Sequence, residues 1–446
     1  MSAEADPGTI PALSEENADD SQIVKKQLNR HQREIHRLRN TVSFRLGKHL
    51  TDAARNPWKL LVLPISFPLY TLRLGLESLG KRVNSSMLKG DLVTFNAPRN
   101  CVVLFPTNGV GFGHFTRMFA VATKIRQTDP STEIVFFTPM PTLHVPYLEN
   151  FPTYHMAGKY KFSDMSTSTW NGLIEEHLLM VLETHQPKMF MFDGAFPYRG
   201  MLNAVSRVEG MKRVWVRRGM FKKGTSVPVD SLAFFDKIVH PGDAVDETHK
   251  DLLSDHTNVI KVPPMISIDK ETMLSRESAR HRLGLPLGSH VWYVQLGAGQ
   301  INDIHSEINM TLHALLQSSE NSYVVLGESL LGERIDYSHE RVRILRDYPN
   351  SIYFNAFDSS VQAGGYNSFH EMRINHIPTL FFPNMNTGMD DQLARCEVAE
   401  QEGWGMVVKK RDISTIKAGI ASMAKLRRSS DAPEDLDWGD WIAEFL

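Results

Sequence analysis

Between residues 100 and 409, short apolar runs alternate with stretches whose apolar positions recur every three or four residues. "CVVLF" (101–105) reads as a buried strand with a helix over 114–127 after it. "EIVFFT" (133–138), "KMFMFD" (188–193) and "RVWVR" (213–217) read as further strands, separated by helices near 168–185 and 197–208. Such alternation predicts parallel strands with helices on both faces. The double proline of "VIKVPPMI" (259–266) reads as a stiff linker, and "ETMLSRESARHRLGLP" as the helix opening a second unit. That unit continues through "HVWYVQLG" (290–297), a helix over 302–317, "SYVVLG" (322–327) and strands near 341–345 and 351–354. A helix over 366–375, a strand over 378–383, a helix over 390–402 and a strand over 405–409 complete it. The predicted class is α/β: two Rossmann-like, doubly wound domains, 96–265 and 266–430, facing a cleft. Open parallel sheets take ligands at the carboxyl ends of their strands.

Upstream the pattern changes. Residues 1–20 read as a disordered acidic tail. From 21 to 46, Val24, Leu28, His31, Ile35, Leu38 and Val42 alternate at steps of four and three. This seam suits either a short coiled coil, and through it a homodimer, or one amphipathic helix on its own domain. "LLVLPISFPLYTL" (60–72) is apolar over 13 residues with two prolines, too short to span a bilayer. With Trp58, Lys59, Arg73, Lys81 and Arg82 at its ends it suits a headgroup region, or else an arm clamped on the body. At the end of the chain, Trp438, Trp441 and Phe445 fall at helical spacing, predicting a segment 431–446 that packs back.

Composition sharpens this picture. The chain has 446 residues, enough for two domains, and a formal net charge of −2 that hides an asymmetry. Residues 1–20 hold six acids and no base, whereas residues 21–90 hold 14 Lys or Arg against three acids. A basic arm on a mildly acidic body predicts an anionic partner for the arm; nucleic acid is not among the expected partners. Two cysteines, Cys101 and Cys396, exclude a disulfide scaffold and fit a reducing compartment. No secretory signal pattern stands at the N-terminus, so the expected location is cytoplasmic, at the inner face of the membrane if the arm binds there.

Candidate chemistry sits where predicted strands pass into helices. "PTNGVGFGHFTRMFAVA" (106–122) carries Gly109, Gly111 and Gly113, which leave backbone amides open, and then His114. The spacing is not the dinucleotide fingerprint, and no acid ends the second strand, so a nicotinamide cofactor is disfavoured. His114 can take a proton from a hydroxyl, because imidazole titrates near neutrality, or can merely cap the helix. Gly297, Ala298, Gly299 and Gln300 form a small-residue turn suited to phosphate. In "AGGYNSFHEMRINHIPTLFFP" (363–383), Gly364 and Gly365 permit close approach, and Asn367 and Ser368 offer donors to phosphate oxygens. Glu371 shares their helix face and can accept both hydroxyls of a ribose. Asp390, Asp391 and Gln392 suit sugar hydroxyls, although an N-cap would use the same acids. Asp193, Arg217 and Arg218 are acceptor-side candidates, the two arginines either meeting an anion or facing solvent.

"GYNSFHE…IPTLFFP…DDQ" resembles the signature of the GT-B nucleotide-sugar glycosyltransferases, and "GVGFGH" resembles their N-terminal glycine loop with its histidine. The chain is similar in particular to the peptidoglycan N-acetylglucosaminyltransferases and the UDP-glycosyltransferases. The resemblance implies that Asn367 and Ser368 contact the α-phosphate, that Glu371 holds the ribose, and that Asp391 with Gln392 holds the donor sugar. For His114 it implies a base or diphosphate role. Two departures stand out: Ala363 where many relatives carry a phosphate-binding histidine, and Gly297-Ala298-Gly299 where the peptidoglycan enzyme has Gly-Gly-Ser. The implied activity is inverting hexosyl transfer from a UDP-sugar to a hydroxyl of an envelope or lipid-linked glycan. No Asp-x-Asp ends a strand, so neither an obligate metal nor another cofactor is expected. The rivals are a UDP-sugar 2-epimerase, which would need Asp193 and a partner as acid and base, and a non-catalytic scaffold.

Overall fold

In the computed structural model the chain is described over residues 41–78, 93–95, 97–107, 112–217, 229–245, 258–268, 271–297, 304–332, 334–387, 390–429 and 438–443. The acidic tail, most of the 21–46 seam, Gly109, Gly111, Arg218, Ala298, Gly299, Gln300 and Phe445 lie outside the described residues.

Two compact units emerge, Met1–Thr94 with Ser206–Glu209, and Phe95–Val205 with Gly210–Leu446. The first contains α1 (Val42–Ala54), α2 (Pro57–Ser78) and a parallel pair, β1 (Val93–Thr94) with β6 (Val208–Glu209). Thr41 starts α1 by accepting a hydrogen bond from the Phe44 amide. The apolar run 60–72 is neither extended nor short: it lies inside the 22-residue α2, with Pro64 and Pro68 within the helix. By length and composition α2 could cross a membrane.

The second unit holds both α/β halves. The first half runs β2 (Arg99–Pro106), α3 (Gly113–Thr128), β3 (Glu133–Thr138), α4 (His144–Leu148), β4 (Thr153–His155), α5 (Thr167–His185), β5 (Pro187–Asp193) and α6 (Arg199–Ser206). It closes with β7 (Lys212–Val216), β8 (Lys237–Pro241) and β9 (Val259–Val262). Its seven strands lie in the order β4-β3-β2-β5-β7-β8-β9, all parallel. The linker expected at 259–266 is therefore partly wrong, because Val259–Val262 is the edge strand and the prolines follow it.

The second half runs α7 (Arg276–Arg282), β10 (His290–Gln295), α8 (Ile304–Ser318), β11 (Ser322–Gly327), β12 (Val342–Leu345), β13 (Ser359–Ala363), α9 (Tyr366–Ile374) and β14 (Thr379–Phe382). α10 (Gln392–Gln401), β15 (Gly405–Val407) and α11 (Ile413–Met423) follow. The strand order β12-β11-β10-β13-β14-β15, again parallel, is 3-2-1-4-5-6 in local numbering, the doubly wound arrangement. The strand expected at 351–354 is instead a 3₁₀ turn, Asn350–Ala356, and the strand follows it as β13.

From Cys101 onward β2 is buried on both faces, as are most of β3, β5 and β10, which accounts for their unbroken apolar sequences. The final helix, α12 (Asp440–Ala443), buries Trp441 and Ile442 in the same apolar cluster as Val102, Leu104 and Met118 of the first half. The return of the C-terminal segment follows from that burial.

Candidate active site

Both sheets reverse their winding between two central strands, β2 and β5 in the first, β10 and β13 in the second. Among the described motif residues, Gly113 and His114 follow β2, Asp193 ends β5, Gly297 follows β10 and Gly364 to Glu371 follow β13, whereas Asp390 to Gln392 follow β14. His114 lies in the first turn of α3, and Asp193 ends β5 opposite Pro106 of β2. His114 Nδ1 is 2.7 Å from Asp193 Oδ1. Arg117, one turn beyond His114, donates from Nε and Nη2 to both oxygens of Asp193, at 2.9 Å each. Asp193 and Arg117 are buried, whereas the His114 side chain is a quarter exposed. Burial alone would raise the Asp193 pKa; Arg117 and His114 outweigh it and hold the carboxyl below the usual range. Arg117 Nη2 also lies 2.9 Å from His114 Nδ1 and, being a donor only, competes with Asp193 for that nitrogen. In the tautomer with the proton on Nδ1, His114 donates to the ionised Asp193, Arg117 Nη2 is spent on the carboxylate, and the ring's lone pair is on Nε2.

Asp193 is thus not an acceptor-contacting acid but the carboxylate that orients His114. Gly194 after it is sterically required: a Cβ there would meet Thr107 Cγ2 at 2.4 Å. Arg217 departs from the solvent-facing alternative. It is buried after β7, its guanidinium 5.1 Å from the Trp215 ring and its carbonyl accepting from His240 Nδ1 at 3.1 Å.

In the second half, Gly297 follows β10 with φ +98°, a conformation that favours glycine. Gly364 follows β13 against α10, where a Cβ would meet Cys396 Sγ at 2.5 Å. Gly365 is the N-cap of α9, and a Cβ on it or on Gly113 would meet nothing within 4 Å among the described residues. Asn367 and Ser368 occupy the first turn of α9, and Asn367 Oδ1 is buried with no hydrogen-bond partner among the described residues. Glu371 lies one turn further on, and burial pushes its carboxyl up to about 7. Its charge reaches Tyr293 and Tyr348, whose pKa values are raised by burial first and by Glu371 in addition. Tyr348 in turn places its hydroxyl 3.4 Å from Thr116 Oγ1 and its ring edge-on to Phe112, tying the Glu371 side of the cleft to α3.

The Asp-Asp-Gln stretch is largely spent on structure. Asp391 is the N-cap of α10, accepting from the Ala394 amide at 3.1 Å, and Gln392 Oε1 accepts from the Asn384 amide at 2.9 Å. Asp390 pairs with Arg395 at 2.7 Å. Sequence reasoning missed this arginine and its main partner. Arg395 donates from Nε and Nη2 to Asp243, after β8, at 2.8 and 2.7 Å, and to the Gly364 carbonyl at 2.8 Å. His370 also meets Asp243, and Tyr366 donates to the Gly242 carbonyl while accepting from the Met265 amide. The Tyr366 ring lies 5.3 Å from the Arg117 guanidinium and 5.9 Å from that of Arg395. Arg117 had a local signal, a helical step of three from His114. Asp243 and Arg395 had none, being 152 residues apart.

Among the described residues, Cys101, Glu133 and His185 approach one another as metal ligands would, at the opposite end of β2. Arg99 pairs with Glu133 there at 3.2 Å and supplies the positive charge, and His185 Nδ1 already lies 2.8 Å from the same carboxylate.

No protein-family model matches the chain, and no curated protein matches its sequence. Solved structures do match. The kitacinnamycin glycotransferase aligns with 78% of this chain and 93% of its own, at a TM-score of 0.51 and 14% identity. The UDP-GlcNAc 2-epimerase of Methanocaldococcus jannaschii aligns with 77% of this chain and 98% of its own, at 0.52 and 10%. The spinosyn forosaminyltransferase SpnP aligns with 72% and 89%, at 0.50 and 13%. The fold is therefore GT-B, two Rossmann-like halves bordering a cleft.

Proposed function

We propose that the protein is an inverting, metal-independent glycosyltransferase that moves a sugar from a nucleotide diphosphate, UDP foremost, to a hydroxyl of a lipid-linked or envelope glycan. The observation that carries this reading is the 2.7 Å contact between His114 and Asp193 at the winding reversal of the first sheet. In this reading His114 Nε2 takes the acceptor hydroxyl proton as that oxygen attacks the anomeric carbon, and the glycosidic bond to the diphosphate breaks on the opposite face. Asp193 stabilises the imidazolium that results. The departing diphosphate gathers charge, which the amides at the start of α9, with Asn367 and Ser368, are placed to receive. Glu371 holds the ribose, and Gly297 lets the backbone approach the phosphates. Asp391 and Gln392 meet the donor sugar only through the atoms their capping bonds leave. Gly111 would leave backbone amides open beside His114, Gly299 and Gln300 would offer theirs to the phosphates, and Arg218 would meet an anionic acceptor.

Transfer is preferred to 2-epimerisation because Asp193, the best carboxylate for an epimerase, is clamped by Arg117 and held ionised. The basic arm would hold the enzyme at the anionic inner face of the membrane, near a lipid-linked acceptor. Thermal shifts with UDP, GDP, dTDP, CMP and ADP test the donor class. One diphosphate nucleotide should stabilise the wild type, and Glu371→Ala should abolish the effect. Release of free nucleotide only when acceptor is present would separate transfer from epimerisation. A flat panel would sink the donor assignment.

A further inference from the structure

α2 is inside out for a helix in water. Trp58, Leu61, Val62, Ile65, Pro68, Leu69 and Leu72 recur at helical spacing along one face, and all are exposed, Trp58 by 79%, Leu61 by 72% and Ile65 by 70%. The hydrogen-bonding side chains between residues 60 and 72 are Ser66, Tyr70 and Thr71, and all three are only partly exposed. Ser66 Oγ lies 3.2 Å from His49 Nε2 of α1, the Tyr70 ring stacks on His49 at 4.5 Å, and Arg45 lies 6.0 Å from the same ring. Thr71 donates back to the carbonyls of Phe67 and Pro68. Polar groups are satisfied within the α1–α2 hairpin, while a continuous apolar stripe is left outside.

Resting on the membrane part of the reading above, we infer that this stripe is buried in the acyl region of one bilayer leaflet, with α2 lying in the plane of the membrane. The geometry favours lying in over crossing, although α2 is about 33 Å long at about 1.5 Å per residue. α1 runs antiparallel beside it, with His49 against Ser66 and Arg45 against Tyr70, so a crossing α2 would carry α1 with Arg45, Lys48 and Asp52 into the hydrocarbon. Lying in the plane keeps those charges at the headgroups. Lys59 and Arg55 at the hairpin turn, with Trp58 between them, match an anionic interface.

The test is flotation of the full chain with vesicles of neutral lipid, or neutral lipid plus one-third anionic lipid, carrying brominated acyl chains. Insertion predicts that bromine near the glycerol end of the chain quenches part of the tryptophan fluorescence, and that Trp58→Phe removes that part. It predicts that Ile65→Lys with Leu69→Lys lowers partitioning at least tenfold at high salt, with the thermal midpoint of the body unchanged. Binding that shows no bromine quenching and vanishes at high salt would overturn insertion in favour of surface attraction. A soluble dimer that the lysine pair dissociates, inert to vesicles, would overturn it in favour of a second copy covering the stripe. Nucleotide-induced thermal shifts measured without lipid report the donor site separately, so either result can fail alone.

Discussion

Asp193 reaches His114 across 79 residues of sequence, and it does so because β2 and β5 are neighbours whose ends lie in register at Pro106 and Asp193. The carboxylate favours the tautomer that carries the proton on Nδ1. His114→Ala should lower transfer by about 10²–10⁴-fold while leaving the nucleotide-induced thermal shift intact. A variant that transfers at the wild-type rate would remove His114 from the mechanism.

Asp193→Ala should cost stability as well as activity. It leaves the buried Arg117 guanidinium without its bidentate partner, a loss of about 3–5 kcal/mol in denaturant unfolding. Asp243→Ala should behave likewise through Arg395, but with a proton dependence of its own. Burial would raise the Asp243 pKa, and Arg395 and His370 together drive it well below its ordinary 3.8. A depressed carboxyl contributes stability that is full above 3.8 and lost as the pH falls below it, so acid titration should narrow the gap between wild type and variant.

Glu371 carries the opposite sign. Its carboxyl is easier to protonate in the fold, at about 7, than in the unfolded chain at 4.5. Between those values the native state binds more protons, so the residue lowers stability as the pH rises through the window. Glu371→Gln should therefore be more stable than wild type by about 1–3 kcal/mol at pH 8 and equal to it near pH 4. If Glu371 holds a ribose, the ionised carboxylate is the form that accepts both hydroxyls. Diphosphate-nucleotide affinity should rise between pH 6 and 8 more steeply in wild type than in Glu371→Gln, as calorimetry would measure.

The paired glycines should separate fold from function. Gly364→Ala drives a methyl into Cys396 Sγ and should cost about 1–3 kcal/mol, part of it recovered by Cys396→Ala. Gly365→Ala meets nothing among the described residues, so its thermal midpoint should move little. If a phosphate approaches that helix start, the same methyl should weaken nucleotide binding at least tenfold. Equal binding by both proteins would place the phosphate elsewhere.

Strands such as Cys101–Pro106 were legible because burial on both faces demands apolar residues at every position. β13 was not. "SSVQA" is buried yet polar, its Ser360 hydroxyl paired with Thr379 at 2.6 Å, while the apolar "SIYF" before it turns as a 3₁₀ segment. Candidate residues could be picked out where the pattern is local, as in His114 at the start of a helix and the Asn367–Glu371 turn. The clamp of Asp243 on Arg395 is invisible to any local pattern, and capping claimed Asp391 where sugar binding was expected. The prolines of α2 disguised a helix, because what they break inside a water-soluble body they need not break in a hairpin whose polar seam is internal.

The register between β2 and β5 also bears on how the protein comes off the ribosome. A chain synthesised only through α3 holds His114 without Asp193, since the carboxylate is made 79 residues later. It arrives as the last residue of its strand, and Arg117 can be neutralised only once that strand has inserted at the centre of the sheet. The orientation that Asp193 gives His114 is thus a late product of assembly.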